Sequence, residues 1–274
     1  MDISRIDKTH AFVYNKGNVI YRTPTKEYYI MIKLIAFDLD GTLTQHKTPL
    51  DPQNKAVLDR LREMGYELLM VGAGQCMRIF NQMNQYPIDI VGNYGLQYSK
   101  YDPETKSLTP VYDHALPCDR ESVDKRITAM REKYGFTEFA GENTEFHPSG
   151  CVTFPILGTK AVAADKLAFD PDRSRRRAIY DDIKATFSEY TVFVGGTSSF
   201  DMAPAPYNKY YALDQIATER GYTHDEVVFV GDDYGQGGND ESVYLSDFHF
   251  VCVDDYTKLP EYMAKLLASR EWQD

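Results

Sequence analysis

The stretch Ile32-Lys33-Leu34-Ile35-Ala36-Phe37-Asp38-Leu39-Asp40-Gly41-Thr42-Leu43-Thr44 decides how the rest of the chain is read. Its opening residues are apolar but for Lys33 and lack helical spacing, so they predict a buried strand that ends abruptly at two aspartates. In an open α/β sheet, ligands bind beyond the carboxyl ends of the strands, where the departing loops form a crevice. Successive strand residues face opposite sides, so Asp38 and Asp40 share one side if the strand stays regular between them. Gly41 then lets the backbone turn sharply and approach a bound anion, although an Asp-Gly pair also serves simply to close a strand.

Outward from this stretch the pattern alternates. Asp51-Pro52 starts a helix with Val57, Leu58, Leu61 and Met64 on its apolar face, ended by Gly65. Tyr66 to Val71 predicts a second strand, with Gly72-Ala73-Gly74-Gln75 at its tip. A short helix from Cys76 to Asn84 follows, with Met77, Phe80 and Met83 on one side, and then a strand from Ile88 to Val91. From Ser99 to Phe200 the character changes: a charged loop, then a helix from Asp119 to Tyr134. Short strands near Phe136 to Phe139, Thr144 to Phe146 and Cys151 to Ile156 precede a second helix from Pro171 to Ser188 and a strand from Thr191 to Val194. The α/β alternation resumes with a helix from Asn208 to Arg220 and a strand from Val227 to Val230, closed by Gly231-Asp232-Asp233. A short helix from Gly238 to Leu245, a strand from His249 to Val253 and a helix from Thr257 to Arg270 complete it. The expected organisation is an α/β core over 31–98 and 201–274, an inserted α+β domain over 99–200, and an N-terminal extension over 1–30 with a turn at Gly17-Asn18.

Composition narrows the function. A formal charge of −11 opposes general affinity for nucleic acid or anionic membrane, yet leaves room for a local cationic site that takes a small phosphorylated metabolite. The dense basic cluster Arg173, Arg175, Arg176 and Arg177 is interspersed with Asp170, Asp172, Asp181 and Asp182, which predicts a solvated helix face with local ion pairs. Cys76, Cys118, Cys151 and Cys252 show no metal-ligand spacing and read as single thiols in a reducing compartment. With no secretory pattern and no run near the roughly 20 apolar residues that cross a bilayer, the expected location is cytoplasmic.

Three separate stretches point to one chemistry. Asp38 and Asp40 end the first strand, Lys209 starts a helix, and Asp232, Asp233, Asn239 and Asp240 follow a later strand. If both halves share a parallel sheet, these carboxylates emerge at one edge, repel one another and call for a hard cation. Oxygen-only ligands suit Mg²⁺, and a nearby lysine offsets the charge of a phosphoryl group. Asp38 is placed to attack phosphorus, and Asp40 to protonate the leaving oxygen and later activate water.

Asp-Leu-Asp-Gly-Thr (38–42), Asn208-Lys209, and Gly231-Asp232-Asp233 through Asn239-Asp240 resemble the ordered motifs of the haloacid dehalogenase (HAD) superfamily of phosphotransferases. The resemblance implies a doubly wound, mostly parallel core with an inserted α+β cap. It also implies Asp38 as nucleophile, Asp40 as acid/base, Lys209 as charge partner and Asp232 as Mg²⁺ ligand, with the Asp40 carbonyl also on the metal. Gly231 to Asp240 and the run Gly195-Gly196-Thr197-Ser198-Ser199-Phe200-Asp201 are similar to the eukaryotic-type phosphomannomutase family, which marks Ser199 and Asp201 as substrate contacts. Two departures stand out. Thr159 occupies the place of a phosphate-gripping cap arginine, and His147, read here as a surface strand residue, lies near another. A threonine cannot imitate a guanidinium fork, and Lys160 adds at most a point charge.

The family's Ser or Thr at the second strand tip is also missing. Backbone NH groups around Gly74, with Thr42 or Gln75, are the expected replacement. The resulting expectation is a Mg²⁺-dependent phosphohydrolase of a small phosphorylated metabolite, such as a sugar phosphate. A phosphomannomutase-like phosphotransferase is the enzyme alternative. A catalytically weak ligand-binding protein on the same fold is the alternative from another class.

Overall fold

The computed structural model describes residues 31–271, so the turn and extension expected over 1–30 lie outside the described residues. The opening run folds as β1 (Leu34–Phe37), followed by α1 (Pro52–Glu63), β2 (Glu67–Val71), α2 (Cys76–Gln82) and β3 (Asp89–Gly92). A hairpin of β4 (Gln97–Asp102) and β5 (Ser107–Asp113) leads to α3 (Arg120–Tyr134), β6 (Glu145–Phe146) and β7 (Val152–Pro155). Then come α4 (Ala163–Phe169), α5 (Ser174–Arg177), α6 (Tyr180–Thr186), β8 (Tyr190–Phe193) and β9 (Ser199–Pro204). The chain closes with α7 (Lys209–Glu219), β10 (Val227–Gly231), α8 (Glu241–Tyr244), β11 (His249–Cys252) and α9 (Leu259–Glu271).

Local chemistry sets the ends of these elements. Asp51 caps α1 by accepting from the amides of Gln53 and Asn54, with Pro52 in the first turn where no N–H is needed. Asp119 caps α3 in the same way, through Ser122 N.

β1 lies inside a seven-stranded sheet of order β11-β10-β1-β2-β3-β4-β5. The strands from β11 to β3 run parallel, while β4 and β5 continue antiparallel. Alternation along the strands sorts the core into two layers. Ile35, Phe37, Met70, Ile90, Val228 and Val230 pack with α1, α2 and α9, while Leu34, Ala36, Leu69, Val71, Val227 and Phe229 pack with α7 and α8. Both layers are buried, so the doubly wound α/β core is as expected. Phe37 pairs with Val230 in parallel register, which makes β1 and β10 end at the same sheet edge.

A second, antiparallel sheet of order β6-β7-β9-β8 forms the cap. Its core takes Val123 and Ile127 from α3, Ile183 from α6, and Phe154, Val192, Phe200 and Met202 from the strands. The two bodies meet where Tyr94 stacks on Phe193, ring centroids 4.3 Å apart and 6° from parallel.

Several expectations are corrected. The segment after Ser99, expected as a charged loop of the insert, is the β4–β5 hairpin of the core sheet, so the boundary at 98/99 cuts through β4. The boundary at 200/201 likewise cuts through β9, a cap strand. Phe136 to Phe139 forms no strand. The helix expected from Pro171 to Ser188 begins only at Ser174, after a left-handed Arg173 (φ 61°), and is broken into α5 and α6 at the non-helical Ile179. Met64 and Met77, placed on buried helix faces, are 47% and 52% exposed.

Candidate active site

The parallel register of β1 and β10 brings Asp38 and Asp232 to one edge, and α7 delivers Lys209 between them. Lys209 is fully buried and donates to Asp38 Oδ1 at 2.5 Å, Asp240 Oδ1 at 2.7 Å and Asn239 Oδ1 at 2.7 Å. Carboxylate oxygens of Asp38, Asp232 and Asp240 lie within 4.8 Å of one another. One ammonium does not balance three carboxylates. Burial first, and then the neighbouring Asp38 and Asp240 charges, push the Asp232 carboxyl up to about 8. Burial likewise lifts Asp38 to about 6, against the pull of Lys209. The two carboxylates hold Lys209 above its ordinary value although burial opposes its charge. An all-oxygen group with surplus negative charge fits a hard divalent cation.

Gly41 has φ +98°, and a Cβ there would collide with the Asp232 carboxylate. Glycine thus lets the β1 loop close on the β10 loop. The buried Thr42 hydroxyl is taken up in the same junction, donating to Asp232 Oδ1 at 3.0 Å. The Asp40 carboxylate stands apart from the triad. It accepts from Gln82 Nε2 at 2.6 Å and from the amide of Lys47 at 2.7 Å, with Arg78 Nη2 3.8 Å away.

The cap closes the other side of a cleft of about 770 Å³. Its floor is Asp38, Asp40 and Asp232, and its roof includes His147, Thr153, Ser199 and Asp201. Asp201 Oδ1 accepts from Thr153 Oγ1 at 3.1 Å and Ser199 Oγ at 3.3 Å, and burial raises its carboxyl. His147 is half-buried, not a surface strand residue, and its Nε2 meets Thr153 Oγ1 at 3.1 Å. Arg176 is only 1% exposed. It pairs with Asp170 at 2.8 Å and donates to the carbonyls of Gly195 and Ser199, which fixes the loop that carries Ser199.

The basic cluster keeps an expected local ion pair in Arg176–Asp170, and Arg175 is exposed, but the rest is not a solvated helix face. Arg173 crosses to the core and pairs with Asp233, and Arg177 donates to Gln236 O at 3.1 Å. Asp233 also accepts from Asn239 N at 3.2 Å.

Of the expected metal ligands, the structure brings together Asp38, Asp232 and Asp240. The side chains of Asp40 and Asp233 are engaged elsewhere, by Gln82 and Arg173, while Asn239 shares the Lys209 ammonium with Asp38 and Asp240. Of the expected phosphate contacts, Gly74 and Gln75 line the cleft, whereas Thr42 is spent on Asp232. Sequence reasoning missed Arg78, Gln82, Lys166 and Arg173. Arg78 and Gln82 lie at i,i+4 on α2, a spacing that marks a pair but not what it faces. Thr159 and Lys166 line the cleft together, Lys166 Nζ donating to Thr159 O at 3.2 Å, while Lys160 is exposed.

The family description "Eukaryotic phosphomannomutase" matches residues 140–259. A phosphomannomutase of Schizosaccharomyces pombe is 25% identical over 242 residues, covering 81% of this chain and 89% of that protein. Phosphomannomutase 1 of Mus musculus is 22% identical over 228 residues, covering 77% and 82%. Among solved structures, an IMP-bound IMP-nucleotidase of Plasmodium falciparum has a TM-score of 0.61 at 14% identity, covering 86% of this chain and 68% of that one. A phosphatase of the HAD superfamily from Bacteroides thetaiotaomicron has a TM-score of 0.58 at 14% identity, covering 88% and 96%. The sequence relatives are phosphomannomutases, and the two solved structures share the fold. In motif, family match and fold alike, the chain resembles the phosphomannomutases and the capped hydrolases of the HAD superfamily.

Proposed function

We propose that the protein is a Mg²⁺-dependent phosphatase of a small phosphorylated metabolite. The observation that carries this reading is Asp38, buried at the floor of the cleft and bonded to Lys209 beside the Asp232–Asp240 pair. Asp38, Asp232 and Asp240 are the residues that would hold Mg²⁺, whose contribution is to neutralise charge on the phosphoryl oxygens.

An Asp38 carboxylate oxygen attacks phosphorus, and the bond to the ester oxygen breaks. That oxygen leaves with a proton from Asp40, which Gln82 and the Lys47 amide hold in place. Asp40 then takes a proton from water as the water oxygen attacks phosphorus, releasing phosphate and restoring Asp38. Lys209 offsets the charge of the carboxylate throughout, and the cap keeps bulk water out.

The absence of arginine at Thr159 and His147 favours hydrolysis over a mutase cycle, which must grip a bisphosphate in both orientations. Phosphomannomutase-like phosphotransfer is the second reading, favoured by the relatives and by Ser199 and Asp201 lining the cleft.

The test is phosphate release from a panel of sugar and other metabolite phosphates, with and without Mg²⁺, for wild type beside Asp38→Asn. Metal-dependent release that vanishes in the variant is expected. No release from any monophosphate, with isomerisation of a sugar phosphate when a sugar bisphosphate is added, would replace hydrolase by mutase, and no turnover in either assay would leave a ligand-binding protein. As a check independent of turnover, Mg²⁺ should raise the melting temperature of wild type but not of Asp232→Asn.

A further inference from the structure

The tip of β2 carries no hydroxyl, and Thr42 is committed to Asp232, so the phosphoryl group needs another donor on this side of the cleft. Arg78 is placed to be it. The residue projects from the first turn of α2 back over Gly74, and both line the cleft with Asp38 and Asp40. A Cβ at residue 74 would fall 2.8 Å from Arg78 Cζ and closer still to Nε and Nη2. The guanidinium thus fills space that only glycine leaves open. A serine or threonine at 74 would evict it.

Two anchors aim the fork. Nη1 donates to Gln82 Oε1 at 3.0 Å, and Nη2 stands 3.8 Å from Asp40 Oδ2, too far for a hydrogen bond. Among the described residues no acceptor meets the other guanidinium N–H groups. An ordinary helix-surface i,i+4 pair would account for the bond to Gln82. It would not account for Gln82 turning its amide onto Asp40, nor for the side chain lying across the strand tip.

We propose that Arg78 grips the transferring phosphoryl group in this chain, and that Gly74 and Arg78 form a matched pair in which the missing side chain admits the guanidinium. This rests on the phosphatase reading above. The chemistry recognised is a phosphate monoester dianion, which a planar fork meets with two parallel N–H···O bonds.

The experiment measures orthophosphate binding by calorimetry to full-length protein with Mg²⁺, beside KM and kcat for whichever ester the panel identifies. The proteins are wild type, Arg78→Ala, Arg78→Lys, Gly74→Ser and the double variant Gly74→Ser/Arg78→Ala. Arg78→Ala should weaken phosphate binding about 10- to 100-fold, with Arg78→Lys intermediate. Gly74→Ser should act in the same direction by displacing the guanidinium. In the Arg78→Ala background the serine should cost no more than about twofold, a coupling that a merely structural arginine would not show.

Arg78 is half-exposed, so its substitution leaves the core intact, and thermal melting of each variant verifies that. Phosphate affinity and KM within twofold of wild type in Arg78→Ala, with turnover intact in wild type, would overturn this inference alone. Full additivity of the two substitutions would do the same. Wild type that neither turns over any ester nor binds orthophosphate would overturn the phosphatase reading, and this inference with it.

Discussion

Lys209 is the counter-charge on which the site's electrostatics depend. Replacing it by methionine keeps the stem and removes the ammonium, which leaves Asp38 and Asp240 buried without their cation. The expected loss is about 3–5 kcal/mol of unfolding free energy, read from urea denaturation without Mg²⁺. His224 gives a different kind of prediction. Its two ring nitrogens contact Asp247 at 2.6 Å and Asp214 at 2.9 Å, and the ring stacks on Phe248. Burial works against the charged ring, but the two carboxylates outweigh it and hold the folded-state value above the ordinary one. Stability from this contact is therefore fully present below the unfolded value near 6.5 and fades as pH rises through the higher folded value. Urea midpoints of wild type and His224→Gln should differ at pH 5.5 and converge at pH 8.5; a constant gap would refute the assignment. At this scale Asp38, Asp232 and Lys209 were legible in the sequence because their positions follow from strand ends and a helix start. Arg78 and Arg173 were not. Where a long side chain lands depends on the space left by others, here Gly74 and Asp233.

Elements decide how the cap is fastened. Arg173 and Arg177 reach from the α5 turn to the loop after β10, and the amide of Val194 donates to Gly237 O at 2.8 Å in the same seam. Arg173→Ala should free this seam. Amides of residues 173–177 should exchange hydrogen roughly 10- to 150-fold faster, a loss of about 1.5–3 kcal/mol in local opening, while those of β7 and β9 stay unchanged. Faster exchange throughout the cap would instead mean that Arg173 supports the cap's own core. The left-handed Arg173 that makes this reach also delays the start of the expected long helix to Ser174. Helical propensity reads charge and period, and nothing in either announces a residue turned aside to meet another sheet. The β4–β5 hairpin was obscured for a related reason. Lys100, Asp102, Glu104 and Lys106 look like a solvated loop, yet the antiparallel pair also buries Tyr98 in the layer of α7 and Leu108 in the layer of α1, α2 and α9.

The described residues form two sheets, with the cap carried as one continuous excursion between β5 and α7. The alternating core was readable from composition and period because burial on both faces leaves nearly unbroken apolar strands. The cap was read less well, since its short strands and helices gain stability mainly from one another. The order β11-β10-β1-β2 has a consequence for synthesis on the ribosome. Leu34 emerges early and soon finds Glu67, but its other neighbour, Val227, is made only after the whole cap. Until then one side of β1 is an open edge, and the Asp38 carboxylate waits without Lys209. A stalled nascent chain ending near residue 205 should therefore remain open to protease between 34 and 92, with protection appearing once residues 227–252 have cleared the exit tunnel. Asp38, near the start of the described residues, is therefore completed as a site only once the loop after β10 has been made, so a product truncated before that loop carries Asp38 without Asp232 and Asp240.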